Sequence, residues 1–246
     1  MPIQYVIDPG IPSGRIAPTS NTIQKVMLVC GIASSLFYVA MNIFIPMFFK
    51  GYRSTSQTVS ELSAVGAPTR ALWVSLGMVY TVLITIFGLG IWRTTLQNRR
   101  LRMVGALIFI YGILNVIWPF TPMHQREVLA AGGETISDTL HLVMAGLTVL
   151  VMVLAISFGA ASFGKQFRVY SIATIFTLLI FGILTALDAP KVQANLPTPY
   201  AGVWERINIG VFLLWVVILA IAAWPPKVKP EPLNKIGNSN SNSNSN

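Results

Sequence analysis

Long uncharged apolar stretches, separated by short polar segments, dominate the hydrophobic pattern of this chain. Six stretches of 18 to 24 residues contain no Lys, Arg, Asp or Glu, and they cover 26–49, 71–92, 103–120, 142–163, 169–187 and 207–224. A helix needs about 20 apolar residues to cross the hydrocarbon core of a membrane, whereas the strands of a membrane barrel are shorter and alternate in polarity. The pattern therefore predicts an all-α fold, a polytopic six-helix transmembrane bundle.

The two ends of the chain have a different composition from its centre. Residues 1–22 are rich in small polar residues and Pro, and we expect an irregular or disordered N-terminal segment. Residues 23–225 form the predicted six-span membrane domain. Residues 226–246 end in a Ser-Asn repeat that cannot bury apolar surface, which is typical of a disordered tail.

Composition supports a membrane protein and argues against nucleic acid as a partner. The chain is 54% hydrophobic and 10% charged, whereas soluble domains carry about 25% charged residues. Its net charge of +9 comes from basic residues in the short segments between apolar stretches. Basic residues at such places set the orientation of membrane spans, so we expect membrane lipid and no nucleic acid as partners.

The distribution of Lys and Arg predicts which segments face the cytoplasm. The terminal segments and the second and fourth loops carry 11 of these residues, and the other three loops carry 6. Cytoplasmic segments are the more basic ones in membrane proteins. We therefore expect a multi-pass protein of the cell membrane with both termini in the cytoplasm and its longer loops on the outer face.

The first outer loop contains the first candidate site residues, Ser60 and Glu61. Thr58 and Glu61 have the spacing of a capping box, in which a glutamate accepts a hydrogen bond from a free N–H at the start of a helix. A short helix beginning there is one interpretation. The other is that Ser60 and Glu61 line a polar pocket above the bundle, and the sequence leaves both open.

The third outer loop contains both histidines of the chain, His124 and His141. Asp138 and His141 share one face of a helix, and their spacing can present two ligands to one metal. The alternative is that Asp138 caps the fourth span and His141 is an ordinary interfacial residue. We favour the capping interpretation and predict no metal site.

The last outer loop ends with Glu205 and Arg206, where the sixth span begins. A charge at this depth is costly unless it is paired or faces a wet cavity. Neighbouring residues on a helix point about 100° apart, so each is expected to have a partner on another loop. For Arg206 we expect Glu61 or Asp138, since a guanidinium suits a carboxylate.

The spans themselves lack charged residues, and this lowers the odds of ion-coupled transport. The sequence also contains no phosphate-binding loop and no HExxH motif, and we expect no cofactor.

Several of these segments resemble a known family of six-helix prokaryotic membrane proteins, the domain of unknown function 998 family. The resemblance covers residues 23–224, and the matching motifs are Gly51-Tyr52, Val59-Ser60-Glu61-Leu62-Ser63-Ala64, Gly66-Ala67-Pro68, Trp118-Pro119, Leu140-His141 and Gly202-Val203-Trp204-Glu205-Arg206. An aspartate that follows the family's third-span proline motif is missing here. The resemblance implies the fold and the site positions, and it implies no activity.

These observations favour a membrane protein with a polar cluster on its outer face. Its predicted ligand-binding residues are Ser60, Glu61, His141, Glu205 and Arg206. The cluster would bind a lipid headgroup or small ligand, or support a protein partner or a second copy. One alternative is an outer-face lipid hydrolase, metal-assisted or acid–base, with Glu61, Asp138 and His141 as candidate catalytic residues. The other is a transporter without ion coupling.

The predicted orientation can be tested with reporter fusions. A C-terminal reporter that works only outside the cytoplasm is expected to be inactive, whereas the same reporter inserted after Gly51 is expected to be active. An active C-terminal fusion together with an inactive loop fusion would show that the orientation is inverted.

Overall fold

The protein was studied as a computed structural model, which describes residues 18–94 and 98–225. The described residues form seven α-helices and no strand. These helices are α1 (Pro18–Phe44), α2 (Arg70–Thr94), α3 (Arg99–Ile117), α4 (Arg126–Ala130), α5 (Ile136–Ala160), α6 (Lys165–Gln193) and α7 (Ala201–Ala222). All except the short α4 are long and apolar enough to cross a membrane, which confirms the predicted six-span bundle.

The ends of the helices differ from the predicted spans. Helix α1 already begins at Pro18, inside the segment 1–22 expected to be irregular, and α5 begins at Ile136 rather than at residue 142. Hydropathy marks only the part of a helix that lies in hydrocarbon, so polar first and last turns are missed. The rest of the N-terminal segment and the tail 226–246 lie outside the described residues.

The six spans form a closed ring in chain order. Each packs against the next, α1 on α2, α2 on α3, α3 on α5, α5 on α6 and α6 on α7, and α7 returns to α1. The largest fully buried side chains include Tyr80, Phe87, Phe212 and Trp215. Large apolar side chains also cover the outside of the ring, among them Leu36, Val82, Leu150, Phe176 and Leu214. Such a surface is suited to lipid.

Three connecting segments meet at one end of the ring. Residues 45–69 join α1 to α2, residues 118–135 join α3 to α5, and residues 194–200 join α6 to α7. The first of these lies over the ring, and we call it the roof and this end the roof end. Two short turns within the roof are 3-10 helices, Ile45–Phe48 and Ser60–Ser63. The roof end is the predicted outer face.

Helices α2 and α3 approach each other closely through glycines. A Cβ atom at Gly88 would lie 2.7 Å from the backbone nitrogen of Phe109, and a Cβ at Gly105 would overlap the backbone of Trp92. Small residues at such positions let the backbones of membrane helices come into contact. This seam therefore fixes one side of the ring.

Replacing Gly88 by leucine is expected to separate α2 from α3. Overpacking of this kind typically costs about 1–3 kcal/mol, so Gly88→Leu should lower the thermal unfolding midpoint of the purified protein in detergent. Gly210→Leu is the matched control, because a Cβ atom at Gly210 would meet nothing within 4 Å. Equal midpoints for the two variants would contradict the close packing described for this seam.

Candidate functional site

A cavity of about 660 Å³ lies inside the ring at its roof end. Residues of all six spans line it, and Thr58, Val59, Ser60 and Ser63 of the roof lie at its upper end. On α5 the lining runs from Asp138 down to Met152, a distance of about 21 Å at 1.5 Å per residue. The cavity therefore reaches from the roof to about the middle of the spans.

The walls are mostly apolar, and the polar lining groups concentrate near the roof. The charged side chains among them are Arg70, Asp138 and Glu205, and the one histidine is His141. Deeper in the ring, the hydroxyl groups of Tyr80 and Tyr111 are 2.8 Å apart and hydrogen-bonded to each other. The cavity thus has a polar upper part and a lower part that is largely apolar.

Glu61 holds the turn of the roof that begins at Ser60. Its carboxylate accepts hydrogen bonds from the backbone N–H of Thr58 at 2.6 Å and from the Thr58 hydroxyl at 3.0 Å. The predicted short helix and the return of Glu61 to a free N–H are therefore both present. The next residue, Leu62, is completely buried and anchors the turn by burying its apolar side chain.

The other side of the Glu61 carboxylate pairs with Arg126 of α4. Arg126 donates from Nε to one carboxylate oxygen at 2.6 Å and from Nη2 to the other at 2.8 Å. Both residues are buried. Arg126 also donates to the Thr198 hydroxyl at 2.7 Å and to the Ser56 carbonyl at 2.9 Å. One guanidinium therefore ties together all three segments of the roof end.

Arg206 is held by a different set of roof groups. Its Nη1 donates to three backbone carbonyls, those of Ser54 (2.7 Å), Gln57 (3.1 Å) and Gly202 (3.0 Å). Its Nη2 donates to the Tyr52 hydroxyl at 2.7 Å. Burial raises the pKa of Tyr52 above its usual range, against the opposing charge of Arg206. The phenol thus keeps its proton and donates to the Thr58 carbonyl at 2.7 Å.

The expected pairing of Arg206 with Glu61 or Asp138 is therefore wrong. Glu61 pairs with Arg126, and Asp138 is bonded to His124 and Thr135. Backbone carbonyls satisfy the Arg206 guanidinium instead, because the roof folds directly over the first turn of α7. Hydrogen bonds to backbone carbonyls cannot be predicted from the spacing of residues in the sequence, because every residue has a carbonyl group.

Glu205 faces the roof from the same turn of α7. Its carboxylate accepts hydrogen bonds from the Val59 backbone N–H and from the Ser60 hydroxyl, the second at 3.0 Å. Glu205 and Ser60 both line the cavity. The structure thus brings together two of the predicted ligand-binding residues at the upper end of the cavity.

Asp138 caps α5, as the capping interpretation predicts. Its carboxylate accepts from the Thr135 N–H at 2.9 Å and from the Thr135 hydroxyl at 3.0 Å, and the two residues form a capping box. It also accepts from the His124 N–H at 2.7 Å and contacts Nδ1 of the His124 ring at 2.9 Å. These contacts occupy the carboxylate and fix the segment that precedes α5.

His141 lies one turn below Asp138 and lines the cavity. Its Nδ1 donates to the Thr121 carbonyl at 2.9 Å, which leaves Nε2 as the acceptor of the neutral ring. Trp118 packs edge-on against the imidazole at 4.7 Å between ring centroids. Within residues 18–94 and 98–225, no three His, Cys, Asp or Glu side chains are grouped to hold a metal ion.

The structure divides the expected cluster into two groups with different surroundings. Glu61 and Arg206 hold the roof in place, and neither is among the cavity-lining residues; Asp138, His141, Ser60 and Glu205 are. No hydrogen bond or ion pair of the described residues joins any two of Glu61, Asp138, His141 and Arg206. A ligand-binding role for these residues stays a prediction.

Three residues that the sequence did not single out are part of this arrangement. Arg126 lies in a polar loop, where hydropathy gives no sign of its burial. Arg70 begins α2 and donates to the Ser63 and Pro119 carbonyls while lining the cavity. The Thr148 hydroxyl is buried in the cavity wall without a hydrogen-bond partner among the described residues.

The missing hydrogen-bond partner distinguishes the Thr148 hydroxyl from the hydroxyls of other threonines in the spans. The hydroxyls of Thr81, Thr174 and Thr185 each donate to the carbonyl four residues earlier, which is the usual solution within a helix. The Thr148 oxygen lacks this bond although its side chain is only 8% exposed. It gives the cavity one buried polar atom that no protein group satisfies.

Removing one member of the Glu61–Arg126 pair is expected to destabilise the protein strongly. Glu61→Gln or Arg126→Gln should lower the free energy of unfolding by about 3–5 kcal/mol, because the remaining charge stays buried without its partner. The measurement is reversible unfolding in detergent, with exposed Arg53→Gln as the control. The double variant should lose less than the sum of the two single losses, and strict additivity would show that the two side chains do not interact.

The chain was compared with known protein families, curated proteins and solved structures. No curated protein and no solved structure matches it. A family described as "Protein of unknown function (DUF998)" matches residues 32–222, which include the second half of α1, all the other helices and the entire roof. The protein is therefore an integral membrane protein that belongs to the DUF998 family of unknown function.

Proposed function

We propose that this protein binds an amphipathic membrane lipid, with an acyl chain in the cavity and the headgroup beneath the roof. The basic-residue distribution supports a location in the cell membrane with the termini in the cytoplasm, so the roof end would contact the outer leaflet. Binding in this leaflet is the function that the described residues support best.

The observation that carries the proposal is the division of one cavity into an upper part with charged groups and a lower part that is uncharged and mostly apolar. Its volume of about 660 Å³ falls within the range of about 300–1,000 Å³ that is usual for ligand sites. Roof-end groups such as Ser60, Arg70 and Glu205 can contact a headgroup, and the walls below them can contact a chain. A small polar solute would leave the lower part empty.

Access from the bilayer is supported by the exposure of lining residues on two neighbouring helices. Leu142 of α5 and Leu179 and Ile183 of α6 line the cavity, and they are 48%, 40% and 58% exposed. We therefore propose that these side chains border an opening between α5 and α6 that faces the surrounding lipid. An acyl chain can pass through such an opening without leaving the apolar phase, so entry requires no transfer through water.

Two glycines show that the cavity wall has free space. A Cβ atom added at Gly77 of α2 or at Gly146 of α5 would meet nothing within 4 Å, and both residues line the cavity. Gly88 and Gly105 behave differently, because their neighbours leave no room for a side chain. The open wall at Gly77 and Gly146 is consistent with space for a ligand.

The hydrolase alternative has less support from the same contacts. A candidate acid or base has to reach the reacting group of the substrate, and Glu61 and Asp138 are already occupied by Arg126, Thr135 and His124. His141 is the one of the three candidates whose acceptor nitrogen is free to face the cavity. The geometry therefore favours binding over catalysis.

Filling the cavity is expected to expel the lipid. The wild-type protein, purified in detergent and mixed with dioleoyl phospholipids, should retain bound lipid in native mass spectrometry. Gly77→Phe and Gly146→Phe should reduce the lipid-bound fraction at least tenfold, because a phenyl ring occupies the chain-binding space. Gly210→Phe is the matched control, since Gly210 has equal free space but does not line the cavity. Retention of wild-type lipid by both cavity variants would contradict the proposal.

A further inference from the structure

We infer that the headgroup bound beneath the roof is a zwitterion of the phosphoethanolamine type, with its phosphate on Arg70 and its primary ammonium on Glu205. This inference rests on the proposed function, because it names the class of lipid that the same cavity would take. It is carried by two oppositely charged side chains, Arg70 and Glu205, that line the upper cavity and form no ion pair among the described residues.

Arg70 supplies the positive charge. Its guanidinium donates to the carbonyl oxygens of Ser63 and Pro119, the second at 3.0 Å. Carbonyl groups orient a guanidinium without cancelling its charge, and two hydrogen bonds leave three of its five N–H groups available. No carboxylate of the described residues lies within ion-pair distance of Arg70. A guanidinium in this state is suited to bind a phosphate.

Glu205 supplies the opposite charge. Its carboxylate accepts from the Val59 N–H and the Ser60 hydroxyl, and a carboxylate has about four acceptor positions, so about two are left. Its neighbour Arg206 is directed to the roof carbonyls of Ser54 and Gln57 instead. The remaining acceptor positions suit an ammonium group, which carries three N–H donors when it is primary.

The two charges stand at opposite ends of one short element. Glu205 contacts the roof turn at Ser60, and Arg70 contacts it at Ser63. Three residues of 3-10 helix rise about 6 Å, so the two contact points on this turn are about 6 Å apart. An ethanolamine headgroup has its phosphate and its ammonium two carbon atoms apart, and it can therefore contact charges held at the two ends of one such turn.

Two other common headgroups match the two residues less completely. A phosphatidylglycerol offers the phosphate but no cation for Glu205. A phosphatidylcholine carries the cation, but its three methyl groups remove every N–H donor. The Glu205 carboxylate therefore distinguishes these lipids by hydrogen bonding, and Arg70 binds the phosphate that all three share.

The test measures headgroup preference on the full-length protein in detergent micelles. Dioleoyl phosphatidylethanolamine, its N-methyl and N,N-dimethyl forms, phosphatidylcholine and phosphatidylglycerol are compared one at a time by native mass spectrometry. Affinity should fall stepwise as N–H donors are replaced, with an overall loss of about tenfold from ethanolamine to choline, as expected for one lost hydrogen bond to a charged group. Equal affinity of the wild-type protein for all five lipids would overturn the inference. This result does not depend on whether any variant folds.

Two variants then assign the preference to particular residues. In the Glu205→Gln variant, the affinity for phosphatidylethanolamine should fall to the affinity for phosphatidylglycerol. Arg70→Gln should lower the affinity for all five lipids by the same factor. Glu127→Gln and Arg53→Gln are the matched controls, because both residues are exposed on the same end of the bundle. A Glu205→Gln protein that keeps the full ethanolamine preference would exclude Glu205 as the ammonium site.

The outcomes separate this inference from the function on which it rests. One possible outcome is that the wild-type protein binds lipid without headgroup preference and Gly77→Phe abolishes this binding. That outcome would support the proposed function and overturn the headgroup assignment. Failure of every lipid to bind the wild-type protein would overturn both.

Discussion

The arrangement of the roof end depends on the buried pair between Glu61 and Arg126. Glu61 organises the turn of the roof, and Arg126 links that turn to α4, to Ser56 and to Thr198. A buried ion pair is rarely a net source of stability, because both charges lose their hydration. Its effect here is to impose one geometry on three segments that are far apart in the chain. The cavity has a defined upper end because these segments are held together.

Below the roof, the ring closes tightly on one side and loosely on another. Glycines bring the backbones of α2 and α3 into contact. On α5 and α6, several residues that line the cavity are also exposed, and a Cβ atom at Gly146 would meet nothing within 4 Å. A small residue thus has opposite effects in the two places: it permits close packing where a neighbouring backbone fills the space, and it leaves free space where no neighbour does.

The sequence was informative wherever local chemistry decides the structure. Apolar length predicted the six spans, and the structure contains both the expected contact of Glu61 with Thr58 and the expected capping of α5 by Asp138. The partners of the charged residues could not be predicted in this way. Arg126 is 65 residues from Glu61 in the chain, and Arg206 binds backbone carbonyls, which every residue possesses. The cavity likewise depends on how the six helices are placed relative to one another, and the hydropathy of the sequence gives no information on that placement.

The connection between the three segments has a consequence for the assembly of the chain. Glu61 lies before the second span, Arg126 after the third, and Thr198 after the fifth. The Glu61–Arg126 pair can therefore form only when three spans are in place, and the bond from Arg126 to Thr198 only when five are. Until the third span is inserted, the Glu61 carboxylate has to stay hydrated at the membrane surface. The network is thus completed in steps, as successive spans enter the membrane.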